Sequence, residues 1–453
     1  MTGTTDALAR FVVDLEYDAI PKEAVDRAKR QILDVIGVAL AGSTQPVGKL
    51  ASRFVQKTGG TPDCTVWGTE LRSSPPQAAF ANGIFSHALD YDDRWLPPAH
   101  PTAVTFPATL AVAEAVRASG RKLLVAQMAG WEVMGKLHFW AASTFPRGGW
   151  HPTSVFGSFG ATASAGKLLN LDRLKLQIAF GIAGSEASGI NANMGTMAKP
   201  FHAGHGARSG VVAAMLAADG FSASLHVLDG AFFEAFYGAH PSNDWQLTMF
   251  LGNPYHIMNP GIGIKMYPSD GYLTHTVEAA LELVKKFEIV PEEVESVEVR
   301  VPRKDRFDRH TVSTGMEGKF SHQYHVALAV LDRKVTIESF HDERARAKDI
   351  QDFMKKISIR IDASLPSNPD FRYFPVMIRL RDGREVSAAQ PLPRGHWKYP
   401  LQRSEWVGKF RENARRVLKE KNVEQVVELV DHLEDLSDMR VLTQALTTHH
   451  SRT

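Results

Sequence analysis

The chain has 453 residues, 44 % hydrophobic and 23 % charged, with a formal net charge of +2 and a single cysteine. That length exceeds one simple core and predicts two or three domains, while the near-neutral balance offers nothing to nucleic acid or an anionic membrane. Cys64 alone excludes an intrachain disulfide, an iron–sulfur cluster and a cysteine-rich zinc site.

The opening MTGTTDALARFVVDLEYDAI carries Asp6 and Asp14 and no basic n-region, which argues against a secretory signal. No apolar run approaches the ~20 residues that span a bilayer, so a cytoplasmic protein is expected. KEAVDRAKRQILDVIGVALAGS spaces Val25, Ala28, Ile32, Val35, Ile36 and Ala39 as a helix does, with Gly42 as the expected C-cap. ATLAVAEAVRAS, LLVAQMAGWEVMGKLHFWAAST and LDRLKLQIAFGIAGSEAS read the same way. From Val155 to Ser224 the chain is rich in Gly, Ala and Ser, which predicts helices in close approach. After about Gly261 the pattern changes. VESVEVRVP and KISIRIDAS alternate, and FPVMIRLRDGREVSAAQP reads as two strands joined at an Asp-Gly turn. Helix-like SHQYHVALAVLD and DERARAKDIQDFMKK lie between them, and SEWVGKFRENARRVLKEK and VEQVVELVDHLEDL return to helix. The expected fold is mainly α with an inserted α+β domain. Residues 1–262 and 398–453 form a helical domain from both chain ends, and residues 263–397 form the smaller α+β domain.

Five places concentrate reactive side chains. In SHALDYDDRWLPPAHPTAV, His100 is flanked by prolines that restrict the backbone, which suits a general acid or base; an exposed turn histidine is the plainer alternative. His151 in GGWHPTSVFGSFG repeats the His-Pro step. In MAKPFHAGHGARSG, Lys199, His202, His205 and Arg208 gather where a helix begins. The helix dipole opposes cations there, so an anion, carboxylate or phosphate, is expected, with a solvated basic face as the alternative. Lys265 in GIGIKMYPSDGYLTH falls at the expected domain junction. His322, Tyr324 and His325 in GKFSHQYHVALAVLD favour capping and packing. The P-loop, dinucleotide, zinc-protease and G-x-S-x-G motifs are absent, and HAGH has no evident third metal ligand. Imidazoles and cations in this density suit proton abstraction next to a carboxylate.

Taken in order, DVIGVALAGS, ANGIFSHALDYDD with HPTAV after it, GWHPTSVFGSFGATASAGKLL, AGSEASGI, MAKPFHAGHGARSG and IKMYPSDGYLTH resemble the MmgE/PrpD family over essentially the whole chain. The resemblance implies a helical domain with an α+β lid, a homodimer, and catalysis on a small-molecule carboxylate without metal or cofactor. It implies catalytic roles for His100, His151, Lys199 and Lys265, and places Asp90 and Tyr324 in the substrate pocket; His202 joins them as a substrate-binding candidate. Two further substrate-binding candidates depart from the family's pattern. Arg94 stands where many members have threonine, and Asp270 where the decarboxylase branch has histidine. An added arginine suits a second carboxylate, while Asp270 would neutralise Arg94 or favour a cationic nitrogen. These departures weigh against cis-aconitate decarboxylation. They put first a hydro-lyase acting on a hydroxy-polycarboxylate, in the manner of 2-methylcitrate dehydratase. An isomerase or epimerase of a dicarboxylate follows, then a cis-aconitate-type decarboxylase, then a non-catalytic binding protein.

Overall fold

The structure, a computed structural model, describes residues 3–145, 148–239, 244–304, 306–366 and 373–448. The chain divides into two compact units: the part up to Ile262 together with the part from Gln402 onward, and Gly263–Leu401 between them. Among the described residues no helix is long and apolar enough to cross a membrane.

The first unit is helical. The Lys22–Ser43 helix has an alternating first half and a second half, from Gln31, that is buried all round. Gly42 lies inside this helix rather than capping it. A Cβ there would sit 2.0 Å from the Phe85 carbonyl oxygen, so the glycine permits contact with the Pro75–His87 helix. The same device sets the centre of the unit. A Cβ on Gly204, in the Ala198–Ala218 helix, would meet the Phe80 carbonyl oxygen at 2.4 Å, and one on Gly83 would meet the Gly204 Cα at 2.7 Å. Backbone therefore packs on backbone, which fixes the start of the Ala198–Ala218 helix beside the end of the Pro75–His87 helix.

The C-terminal segment completes this unit. In the Arg403–Ala414 helix, Phe410 lies against Gly37 and Lys409 enters the interior. The Lys409 ammonium pairs with Asp34 at 2.7 Å and donates to the Tyr91 carbonyl at 2.8 Å. It also sits 4.0 Å above the Tyr91 ring. Both charged groups are buried, so neither is tolerable without the other.

In the second unit the sheet runs in the order Ile357–Ile361, Val294–Val301, Val376–Leu380, Glu385–Ala388. The first pairing is parallel and the other two are antiparallel. Val297 and Val299 point to the core with Ile378, Val326 and Leu328, as the alternation predicts. The Asp382-Gly383 turn joins the last two strands, with Gly383 at φ 89°. DERARAKDIQDFMKK makes two short helices, Asp342–Ala345 and Lys348–Met354, where one was expected. Arg344 is held at 2.6 Å by Asp332 and at 2.8 Å by Asp349, and the chain turns out of helix at Ala347 (φ −59°, ψ 136°).

Lys409→Met strands the Asp34 carboxylate in the interior and is expected to cost about 3–5 kcal/mol. Adding Asp34→Asn should recover part of that loss. Urea unfolding of the two single variants and the double variant measures the coupling; simple additivity contradicts it.

Candidate active site

Two His-Pro steps use one local solution. His100 and His151 are the residues just before the Pro101–Ala115 and Pro152–Leu168 helices, with proline in the first helical position. Proline drives the preceding residue out of helical geometry, to φ −118°, ψ 85° at His100 and φ −88°, ψ 107° at His151. Neither imidazole caps its own helix, so both rings can turn elsewhere. The His100 N–H donates to the Thr153 hydroxyl at 3.0 Å, which ties the two helix starts together. The His151 N–H donates to the Gly189 carbonyl at 2.9 Å.

The stretch between His87 and His100 carries the acidic groups. Asp90 has φ 52°, an uncommon conformation for a residue with a side chain. Lys199, in the first turn of the Ala198–Ala218 helix, donates to its Oδ2. The His100 Nε2 lies 3.9 Å from its Oδ1. Asp92 is fully buried and faces the Nδ1 atoms of His87, at 3.0 Å, and His100, at 2.9 Å. The Asp93 carbonyl accepts from the His100 Nδ1 at 2.8 Å, while its carboxyl accepts from both the N–H and the hydroxyl of Thr102. His151 and His202 meet Nδ1 to Nδ1 at 3.0 Å. The His87 ring lies 4.4 Å from that of His100 and stacks 6.0 Å from that of His151.

Burial and charge sort these groups. Burial pushes His87 down to about 4, against the pull of Asp92 and with help from His100 and Lys199. Burial also takes His202 down to about 4, and His87, His205 and Lys199 add to it. His151 is driven well below the imidazole range by burial first, then by His87, Lys199, His100 and His202 around it. Burial alone would raise Asp92, but His87 and His100 outweigh it and hold the carboxylate well below its usual range. Asp93, buried beside Asp92 and Asp34, is raised well above it. At neutral pH His87, His151 and His202 are thus neutral beside the Lys199–Asp90 pair. That arrangement can bind an anion and move a proton.

Of the expected residues, Asp90, His100, His151, Lys199 and His202 come together here, and Arg94 is buried in the same loop. The other three belong to the second unit. Lys265 is buried and donates to the Ser269 carbonyl at 3.3 Å. Asp270 accepts from the Tyr272 N–H at 3.0 Å and pairs with Arg306 at 3.4 Å, so a cation of its own unit answers its charge. Tyr324 is fully buried; its ring packs near Phe340 and its hydroxyl donates to the Ser339 carbonyl at 2.5 Å.

The anion expected at the start of the Ala198–Ala218 helix is supplied for Lys199 by the chain itself, as Asp90. His205 is 3.2 Å from the Glu186 carbonyl, and Arg208 is exposed. His87, Asp92, Asp93 and Lys409 were not singled out in the sequence. The density of acids in LDYDD was the available signal for the aspartates; Lys409, 318 positions from Tyr91, had none. His87, Asp90, Asp92 and His100 offer ligand-type atoms within 4.8 Å of one another. A cation would have to displace Lys199 from Asp90 and two imidazole donors from Asp92, so this set does not suit a metal.

Fold and cluster together define a mainly helical, two-unit protein with a buried acid–base site. Residues 6–245 match the MmgE/PrpD N-terminal domain and residues 267–435 the MmgE/PrpD C-terminal domain. The chain belongs to the MmgE/PrpD family. Mus musculus cis-aconitate decarboxylase is 32 % identical, over 98 % of this chain and 94 % of its own length. The Homo sapiens cis-aconitate decarboxylase is 31 % identical, over 98 % and 95 %. A 2-methylcitrate dehydratase of Salmonella typhimurium is 23 % identical over 77 % of each chain.

A histidine lowered on folding from 6.5 to about 4 binds its proton more tightly unfolded. Its contribution to stability is complete above about pH 6.5 and is lost as pH falls toward 4, by at most about 1.4 kcal/mol per pH unit. The thermal midpoint should therefore drop between pH 6.5 and 4, and less steeply in His87→Gln. A midpoint flat across that window contradicts the neutral-imidazole assignment.

Proposed function

We propose that the protein is a cofactor-independent carbon–carbon lyase that decarboxylates an unsaturated tricarboxylate of the cis-aconitate type. The observation that carries this reading is the buried Lys199–Asp90 pair with the His100 Nε2 3.9 Å from the carboxylate and neutral His151 and His202 beside it. The mouse and human relatives, named as cis-aconitate decarboxylases and matching almost the entire chain, support it. They reverse the order suggested by Arg94 and Asp270, which had put a hydro-lyase first.

The chemistry follows from the side chains. Lys199 binds a substrate carboxylate in place of Asp90, and Arg94 is assigned to a second. The bond from carbon to the departing carboxylate breaks. CO2 leaves, and the electron pair spreads over the adjoining double bond and carboxylate, where the Lys199 ammonium stabilises it. His100, after taking a proton from solvent at Nε2, then delivers it to carbon. One proton is consumed for each CO2 released. Lys265 is assigned to carboxylate binding, and Asp270 and Tyr324 to the substrate pocket, by the resemblance alone. Elimination of water, the second reading, is favoured by the Salmonella relative. It needs an acid poised at the departing hydroxyl as well as a base that removes a proton, two proton-transfer groups where decarboxylation needs one. A homodimer in the cytoplasm is proposed with it, so light scattering should report twice the 50.0 kDa chain mass.

Proton NMR of the protein with cis-aconitate and, separately, 2-methylcitrate tests the assignment. New terminal methylene signals with CO2 release are expected from cis-aconitate. A new alkene from 2-methylcitrate alone establishes the dehydratase instead. Lys199→Ala should lower kcat/KM by about 10²–10³-fold, and a metal chelator should leave the rate unchanged. Full activity in Lys199→Ala, or loss of activity on chelation, overturns the proposal.

A further inference from the structure

The His100 Nδ1 faces two oxygens, the Asp92 carboxylate at 2.9 Å and the Asp93 carbonyl at 2.8 Å. A carbonyl can only accept, so this nitrogen carries a hydrogen in every protonation state of the ring. The reactive nitrogen of His100 is then Nε2, the atom nearer Asp90. The His87 Nδ1 lies 3.0 Å from each oxygen of the same Asp92 carboxylate. One buried carboxylate thus receives two imidazole N–H groups from opposite ends of one loop. The Tyr91 carbonyl, between Asp90 and Asp92, is held by Lys409, which keeps Asp90 on Lys199 and Asp92 on the two rings.

We propose that Asp92 is a positioning residue that sets the tautomer of His87 and orients the ring of His100, whose hydrogen the Asp93 carbonyl holds on Nδ1. This rests on the functional reading above, in which His100 exchanges a proton through Nε2. Asp92 reaches the reacting atoms only through His100. Its charge also stabilises the imidazolium that forms when His100 takes a proton, as a buried carboxylate does behind a catalytic histidine. The charged and titratable groups around the unit are His87, Asp90, Asp93, His151, Lys199 and His202, with Asp34 and Lys409 behind the loop.

Asparagine at position 92 supplies one acceptor and one donor to two Nδ1–H groups. In either orientation the amide NH2 faces the His87 Nδ1, which lies 3.0 Å from both oxygens, and favours hydrogen on the Nε2 of that ring. The Asp93 carbonyl retains the His100 hydrogen, so His87 is the ring expected to switch. The experiment is ¹⁵N NMR of histidine-labelled protein, wild type and Asp92→Asn, above pH 7.5, with His87→Phe and His100→Gln assigning the signals. In the wild type both rings should show hydrogen on Nδ1 and a bare Nε2; in Asp92→Asn only His100 should. His100 should keep its tautomer in His87→Phe, a result that does not require Asp92→Asn to fold. A wild-type His100 with its hydrogen on Nε2, or two unchanged rings in Asp92→Asn, overturns the proposal. With cis-aconitate, Asp92→Asn should lower kcat by about 10²–10⁴-fold and leave KM within about threefold. Unchanged kcat, or a loss confined to KM, also overturns it. If cis-aconitate is not turned over by the wild type, the functional reading fails, and the NMR result alone decides the role of Asp92.

Discussion

Asp90, Asp92 and Asp93 are buried in a helical core, and an unpartnered carboxylate there is penalised by several kcal/mol. The first unit supplies each with a different remedy. Asp90 has the Lys199 ammonium, Asp92 has two imidazoles, and Asp93 has Thr102 and a carboxyl shifted toward neutrality. Three carboxyls of one short stretch are thus accommodated in three different ways. Only Asp92 is held firmly as an anion by rings that can themselves move protons.

Those remedies require elements from across the chain to meet within hydrogen-bonding distance. Glycine at 83 and 204 lets two helix backbones touch, which brings Lys199 to the loop that follows His87. The paired His-Pro steps turn two imidazoles inward at adjacent helix starts, joined through Thr153. The C-terminal helix returns to pin the Tyr91 carbonyl through Lys409, itself anchored on Asp34. The candidate site is therefore supported by a segment from the far end of the chain.

The electrostatic state of the cluster bears on the kind of reaction it suits. Crowding imidazoles with an ammonium in a desolvated space keeps His87, His151 and His202 neutral. Such a site attracts an anion to its cation and offers proton acceptors around it. In the proposed decarboxylation, charge that develops on breaking the carbon–carboxylate bond would meet the Lys199 ammonium, and a single proton would complete the reaction. The relatives named as cis-aconitate decarboxylases support that proposal over the ranking drawn from Arg94 and Asp270. Asp270 has Arg306 within its own unit, which removes one reason for reading it as a substrate determinant.

Much was legible from residues alone. Alternation in VESVEVRVP and KISIRIDAS, the Asp-Gly turn, the small-residue helices and the two His-Pro steps each reflect short-range rules of backbone sterics and burial. The family followed from ordered motifs, and with it the residues of the first unit that gather around Asp90. What stayed hidden depends on distance in the chain. Local dipole arguments asked for an anion beside Lys199, but only packing could show that Asp90 provides it. Gly42 reads locally as a cap until the Phe85 carbonyl is seen against it. Lys409 reads as one more basic residue on a charged helix until it is found inside the core. Local sequence determines which way a backbone turns and which faces are apolar. Which buried charges share a space, and hence which imidazole keeps its proton and on which nitrogen, is decided only when remote segments exclude water from the same few ångströms.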